Sequence, residues 1–394
     1  MLRENLFQRR NPTGCDVHIN HPFKIFKCII AKKILKITCI VLGVILAAAI
    51  IFVGVLTITE YKPDDSESLE VTSGSTFGKN ATGSAKLSPS VGDSISIVTW
   101  NLGYGSLGAN ADFFMDGGDS VYTSTAKQVN DNMEAITSEL NSLAADIFLL
   151  QEVDERSSRS HKINEADILR EKLPSYTSSY AYNYKTLMVP YPLPPIGRVT
   201  SGIMTLSSFE VSDAERIQLP CPFSYPIRLC NLKRCLIVSR IPIAGSEHEL
   251  VIVNLHLEAY DSGEGKAAQT RMLADILQNE AAAGNYVIAG GDFNQTFSNV
   301  DLSAYPQQSA DLWAPGSIDV SEFGDSFTCT TDSSAPTCRS LDKPYEGHDH
   351  ESFQYYVIDG FIVSSNLQIN STETIDLDFK NSDHNPIRLD VALK

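Results

Sequence analysis

Apolar and polar positions alternate along this chain in three different rhythms, and each predicts a different kind of element. The first is unbroken: Ile37 to Ile58 is 22 residues without a charge, roughly 33 Å as a helix at 1.5 Å per residue, enough to cross a bilayer. Residues 59–93 then carry few apolar side chains and many Ser, Gly, Thr and acidic residues, the composition of a solvated linker. From Ser94 the other two rhythms interleave. Short apolar or alternating runs predict strands at Ser94–Trp100, Asp146–Leu150, Ser201–Leu206, Cys235–Ile241, Leu250–Leu257, Tyr286–Ala289, Tyr355–Val363 and Ile387–Leu393. Spacing of three and four predicts helices over 124–143, about 164–173 and about 265–282. The Pro-rich stretch 190–195 is too restricted for either and is expected as a surface loop near the site.

The strands share a habit: they end in polar side chains. Asn101 follows Trp100, Gln151 and Glu152 follow Leu150, and Gly290-Gly-Asp-Phe-Asn294 closes the Tyr286 strand with Asp292 and Asn294. Asn254 and His256 lie two residues apart in their strand and so face the same way. Asp383 and His384 stand just before the last strand. Asp359 sits between Val357, Ile358, Phe361 and Ile362, where an unpaired carboxylate would cost several kcal/mol, so it needs a partner such as a histidine. A turn or a satisfied core histidine accounts for any one of these positions. Six such sites in one chain share no bland explanation.

Charge divides the chain. The formal net charge is −17, yet the first 36 residues hold 8 basic and 2 acidic side chains, leaving 23 basic against 46 acidic in the rest. Basic residues before the apolar run and acidic ones after it place the N-terminus in the cytoplasm by the positive-inside rule, as an uncleaved signal anchor, with everything after Ile58 outside. The organisation expected is a basic cytoplasmic tail (1–36), a transmembrane helix (37–58), a flexible linker (59–93) and one catalytic domain (94–394). So acidic an outer part lacks the usual electrostatic footprint for nucleic acid, which disfavours DNA or RNA as partner. Of the eight cysteines, Cys221, Cys230, Cys235, Cys329 and Cys338 fall outside the membrane, where disulfides persist. Cys329 and Cys338 bracket a Ser/Thr/Pro loop and are the best candidate bridge. No Cys-x-x-Cys spacing supports structural zinc.

Taken together, Trp100-Asn101-Leu-Gly, Leu150-Gln-Glu152-Val, Asn254-Leu-His256-Leu, Gly291-Asp292-Phe-Asn294, Ile358-Asp359-Gly-Phe and Ser382-Asp383-His384-Asn-Pro resemble the six ordered motifs of the endonuclease/exonuclease/phosphatase superfamily, over about residues 94–394. That superfamily includes deoxyribonuclease-I-like nucleases, neutral sphingomyelinases and inositol polyphosphate 5-phosphatases. The resemblance implies an α/β (α+β) four-layer sandwich: two mainly antiparallel sheets packed face to face with helices outside. It further implies that Glu152, helped by Asn101, holds Mg²⁺, with Mn²⁺ as substitute, and that Asp383 ligands a second metal or supports the site. Asp359 would orient His384, Asp292 and His384 would prepare the attacking water, and Asn294 would donate to the charge gathering on phosphorus. His256 would contact the phosphate or protonate the leaving group. Which of Asp292 and His384 is the base stays open.

The Asn-x-His form leans towards the sphingomyelinase, 5-phosphatase and deoxyribonuclease-like branches. Lys185, Arg198, Lys233 and Arg234 lie in segments that could line a phosphate pocket. The expected function is a membrane-anchored, extracytoplasmic, metal-dependent phosphoesterase acting on lipid headgroups or small phosphoesters. Its alternatives are an extracellular nuclease and a catalytically silent binding module.

Overall fold

A computed structural model of the chain describes residues 21–79, 87–261 and 263–394. Residues 1–20 of the expected basic tail, Cys15 among them, and 80–86 of the expected linker lie outside the described residues. The chain divides into two units, Met1–Ile58 and Thr59–Lys394.

The described residues of the first unit form one helix, His21–Ile58. Its segment Phe26–Ile58 is long and apolar enough to cross a membrane. The second unit is built on two seven-stranded sheets. One runs in the order Ser66–Ser68, Asp213–Gln218, Cys235–Pro242, Glu249–His256, Tyr286–Asp292, Asp359–Ser364, Phe327–Thr330; the other Leu367–Thr374, Ile387–Leu393, Ser94–Asn101, Ile147–Asp154, Gly197–Ser207, Thr177–Val189, Thr72–Ser73. Each sheet contains one parallel pair near its centre, Glu249–His256 with Tyr286–Asp292 and Ser94–Asn101 with Ile147–Asp154, and every other pairing is antiparallel.

The alternation of side chains explains the layers. Ile95, Ile97, Ile147 and Leu149 from one sheet meet Ile252, Ile288, Phe361 and Val363 from the other in a shared core. The opposite faces pack on helices. Leu273 and Leu277 of Glu264–Ala282 cover Val251, Val253 and Val287, while Met133, Ile136 and Leu140 of Ala126–Leu143 cover Val98, Phe148 and Leu150. A capping box fixes the start of the latter helix: Thr125 and Gln128 bond each other's backbone. This is the four-layer sandwich.

Three expectations need correction. The segment 59–93 is not wholly linker, because Ser66–Ser68 pairs with Glu215–Ile217 and Thr72–Ser73 with Thr177–Ser178, adding an edge strand to each sheet. The Cys329–Cys338 bridge does not form. Both thiols are buried and free, Cys329 packing in a sheet beside Phe327 and Ile362 while Cys338 reaches the site next to His384. The run 355–363 is two strands, Tyr355–Tyr356 and Asp359–Ser364, pairing in different sheets. Asn254 shares a face with His256 but serves the interior, accepting from Gln151 Nε2 at 2.9 Å and donating to the Met204 carbonyl at 2.9 Å, which ties the two sheets together beneath the site.

Candidate active site

The C-terminal ends of both parallel pairs lie at one end of the sandwich, and there the strand-end motifs converge. Asp292 stands opposite His256 on one side and Asp359 on the other. Asn101 stands opposite Gln151 in the second sheet. A cavity of about 300 Å³ opens above them, lined by Asn101, Glu152, His256, Asp292, Asn294, Asp383 and His384. Asp359 lies behind His384, whose Nδ1 is 2.9 Å from its Oδ2. All eight residues singled out from the sequence are therefore in one place.

Local backbone explains how they get there. Glu152 sits where the pairing of Ile147–Asp154 with its neighbour slips register, at φ +55°, which turns its side chain out of the sheet and into the cavity. Asn294 also has positive φ, +52°. Gly291 is required by close approach, since a Cβ there would stand 2.0 Å from the Leu255 carbonyl oxygen. The loop carrying Asp383 and His384 is pinned to the Trp100 strand: Trp100 Nε1 donates to the His384 carbonyl at 2.9 Å and Ser382 Oγ to the Asn101 carbonyl at 2.7 Å.

Asp292 is the hub. Its Oδ2 accepts from Asn101 Nδ2 at 2.9 Å and lies 3.3 Å from His256 Nε2 and 3.8 Å from His384 Nε2, while its Oδ1 accepts from the Asn294 backbone N–H at 2.8 Å. Burial first, then the charge of Asp359, pushes its carboxyl up to about 7. Burial alone would push His384 down, but its neighbours hold it well above the usual histidine range. Of those neighbours Asp359 is the effective one, because burial pushes the Cys338 thiol up to about 12 and leaves it neutral. His256 is pushed well below its usual value by burial and by the Arg234 charge. Asn294 Nδ2 uses one hydrogen on the Leu257 carbonyl at 3.0 Å, leaving its second.

Glu152 contrasts with this bonded group: among the described residues its carboxylate has no hydrogen bond or ion pair. Asp383 and Asp116, which also line the cavity, are both raised, to about 6 and about 7. Burial is the first cause in each, and the Glu152 charge contributes to both. Carboxylate oxygens gathered on one wall, raised by burial and by one another's charge, suit a hard divalent ion. A second group, Asp292, Asp359 and His384, has ligand atoms within 4.8 Å of one another, as do Cys338, Asp383 and His384.

Sequence reasoning missed several wall residues. Asp116 comes from a short helical turn in a loop with no strand pattern, and its Oδ1 accepts from Tyr260 Oη at 3.3 Å. Arg159, in a serine-rich stretch that reads as surface, is held by Asp154 at 2.9 Å and covers the Tyr104 ring at 3.6 Å. Buried Glu258 accepts from the backbone of Ala259 and Tyr260, and its spacing of two from His256 was the available signal. Of the four basic residues weighed for the pocket, Arg234 lines it, 3.9 Å from Glu258. Lys233 instead binds Glu60, Lys185 covers the Tyr182 ring, and Arg198 donates to Thr200.

A family model described as the Endonuclease/Exonuclease/phosphatase family matches residues 98–384. The chain belongs to this family. Its members are typically hydrolases of phosphoesters. Solved structures of the family resemble the fold: an endonuclease/exonuclease/phosphatase from Beutenbergia cavernae DSM 12333 is 18% identical, covering 76% of this chain and 72% of its own, with a TM-score of 0.51. One from Bacteroides vulgatus is 16% identical over 77% of this chain and 100% of its own, TM-score 0.48. The human Nocturnin catalytic domain with a bound sulfate anion is 15% identical over 76% and 95%, TM-score 0.45. No curated protein matches the chain significantly.

Proposed function

We propose that this family member is a membrane-anchored, Mg²⁺-dependent phosphoesterase whose catalytic unit works outside the cytoplasm on a phosphodiester or phosphomonoester, with lipid headgroups or small phosphoesters favoured. The observation that carries the reading is the division of the cavity wall. Glu152, without a partner among the described residues, and Asp383, whose Oδ1 accepts from Ser382 Oγ at 3.4 Å, stand on one side, and the bonded set His256, Asp292, Asp359 and His384 stands on the other.

Glu152 and Asp383, with the remaining lone pair of Asn101 Oδ1, would hold the divalent ion, which supplies Lewis-acid polarisation of a phosphoryl oxygen. The other steps belong to side chains. Asp292, raised to about 7, is ionised enough near neutrality to take the proton of an attacking water, and it is our choice for the base. Asp359 fixes the His384 ring with Nε2 towards Asp292 and keeps it protonated, so His384 presents positive charge to the phosphoryl group. Asn294 offers its second amide hydrogen to the charge that develops on the phosphoryl oxygens. His256, held neutral, is suited to bind an oxygen through a hydrogen bond rather than to deliver a proton.

The anchor reading rests on the apolar helix and its one-sided flanks, basic residues before it and Glu60, Asp64, Asp65 and Glu67 after it. The full chain in lipid nanodiscs, given sphingomyelin, other phospholipids, inositol phosphates, nucleotides and DNA side by side, should hydrolyse at least one with Mg²⁺ and lose that activity with chelator and in Asp292→Asn. Turnover that survives both would overturn the assignment. Hydrolysis of DNA alone would turn the reading to an extracellular nuclease, and no turnover at all to a silent binding module.

A further inference from the structure

Exposed apolar side chains on the catalytic unit are few and gathered. Among the described residues from Thr59 onward nine large hydrophobic side chains are exposed, and eight stand on segments that also build the cavity wall or adjoin it, 113–122, 187–196, 223–232 and 258–260. The ninth, Val91, precedes Ser94, at the end of that strand remote from Asn101. Leu193 is 88% exposed, Tyr191 70% and Ile227 60%. A folded protein does not ordinarily concentrate such side chains around one opening unless something covers them.

The rim is a connected structure rather than four independent loops. The rings of Phe114 and Tyr191 meet edge-on, and Tyr122 Oη donates to the Pro195 carbonyl at 3.0 Å. Tyr184 Oη donates to the Cys230 carbonyl at 2.8 Å and Thr186 Oγ1 to the Leu229 carbonyl at 3.1 Å, joining 184–196 to 223–232. Tyr260 joins 258–260 to 113–122 through Asp116. Exposed Lys185 and Arg198 and part-exposed Arg228 flank it, on a unit that is otherwise strongly acidic.

The chain itself indicates what covers this rim. Glu60 takes Arg228 at 3.2 Å and Lys233 at 3.3 Å, both on the segment that carries Ile227. Ile58, the last residue of the apolar helix, precedes Glu60 by two residues, at most ~7 Å of extended chain, however the helix is oriented. The point where the chain leaves that helix is thus tied to the apolar rim.

We propose that the rim docks on the bilayer that the helix crosses, with Tyr191, Leu193 and Ile227 entering its interfacial layer and the flanking cations meeting headgroups, so that the cavity takes its phosphoester from the membrane surface. This rests on the membrane-anchored phosphoesterase reading above. Apolar side chains beside Lys and Arg are the chemistry of interfacial binding.

Tryptophans placed at Leu193→Trp, Ile227→Trp and, as control, Val91→Trp in the full chain, reconstituted in nanodiscs containing brominated phosphatidylcholine, test it. Leu193→Trp and Ile227→Trp should be quenched well beyond the background of Trp100 and Trp313, and Val91→Trp should not. A chain that fails to enter discs overturns the anchor and the docking together. A chain that enters them with Leu193→Trp and Ile227→Trp no more quenched than Val91→Trp overturns docking alone, as a rim that awaits a protein partner would. The double variant Leu193→Asp, Ile227→Asp should release headgroups from mixed-phospholipid discs about tenfold more slowly, with bis(p-nitrophenyl) phosphate hydrolysis unchanged. Equal losses on both substrates, or no release from any disc lipid by the parent chain, would sink the proposal.

Discussion

The two parallel strand pairs that end at the cavity are alike in topology and opposite in electrostatic state. In the pair Glu249–His256 and Tyr286–Asp292, every charged side chain at the tip has a partner: Asp292 has Asn101, His256 and the Asn294 backbone, and its neighbour Asp359 has His384. In the pair Ser94–Asn101 and Ile147–Asp154, Glu152 has none among the described residues, and its charge adds to the burial that raises Asp383 and Asp116 across the gap. One half is mostly bonded as folded; the other gathers negative charge that protons or a bound cation relieve. His384 ties them, since its loop belongs to the second sheet and its Nδ1 reaches the first. If, as proposed, substrate chemistry belongs to the bonded half and charge compensation to the other, the two should be separable by substitution.

The sharpest separation is Asp292→Asn. It removes the hub of the bonded half while leaving Glu152 and Asp383, so kcat should fall by about 10²–10⁴-fold with Mg²⁺ affinity, read by calorimetry, nearly unchanged. A comparable loss of affinity would show that the halves are one unit. The converse is Glu152→Gln, which should weaken Mg²⁺ binding by about 10–100-fold or more and let much of kcat return at high Mg²⁺. If kcat stays low at saturating Mg²⁺, Glu152 acts on the bonded side as well.

Asp359→Asn probes the tie. Asp359 holds the His384 proton, so its neutralisation should move the His384 titration midpoint down by about 1–3 pH units, visible by NMR of the ring protons, with a smaller fall in kcat than for Asp292→Asn. A midpoint that does not move would mean that some other group sets the His384 charge.

How far the comparison could be read from sequence follows from what kind of feature each residue is. Asp359 was legible because a carboxylate between Val357 and Phe361 demands a partner, and it has one. The central strands were legible because both faces are buried and their apolar runs are unbroken. Two near-edge strands were not: Asp213–Gln218 and Thr177–Val189 carry polar residues through most of their length, since one face meets solvent. Asp116 and Arg159 reach the cavity from loops, whose path depends on tertiary contacts and leaves no periodic trace. The Cys329–Cys338 expectation failed for a related reason. Nearness in sequence across a turn suggested a bridge, but the strand pairing of Phe327–Thr330 with Asp359–Ser364 carries Cys329 away to the helix-covered face.

The smallest expected effect concerns stability, and it turns on sign. Asp116, Asp292 and Asp383 are raised in the folded chain to about 7, 7 and 6. Between the unfolded carboxylate range near 4 and those values the folded state binds more protons than the unfolded one, so stability falls as pH rises through this window. Metal-free protein should therefore melt a few degrees lower at pH 8 than at pH 5 on account of these groups. Mg²⁺ should raise the melting temperature more at pH 8, where the carboxylates are ionised and ready to bind it, than at pH 5, where protons compete. Asp292→Asn should remove part of the pH dependence while leaving the Mg²⁺ response, and Asp383→Asn should diminish both. If the Mg²⁺ response is the same at both pH values, the raised carboxylates are not where the ion binds, and the contrast between the two halves of the cavity fails at its charged side.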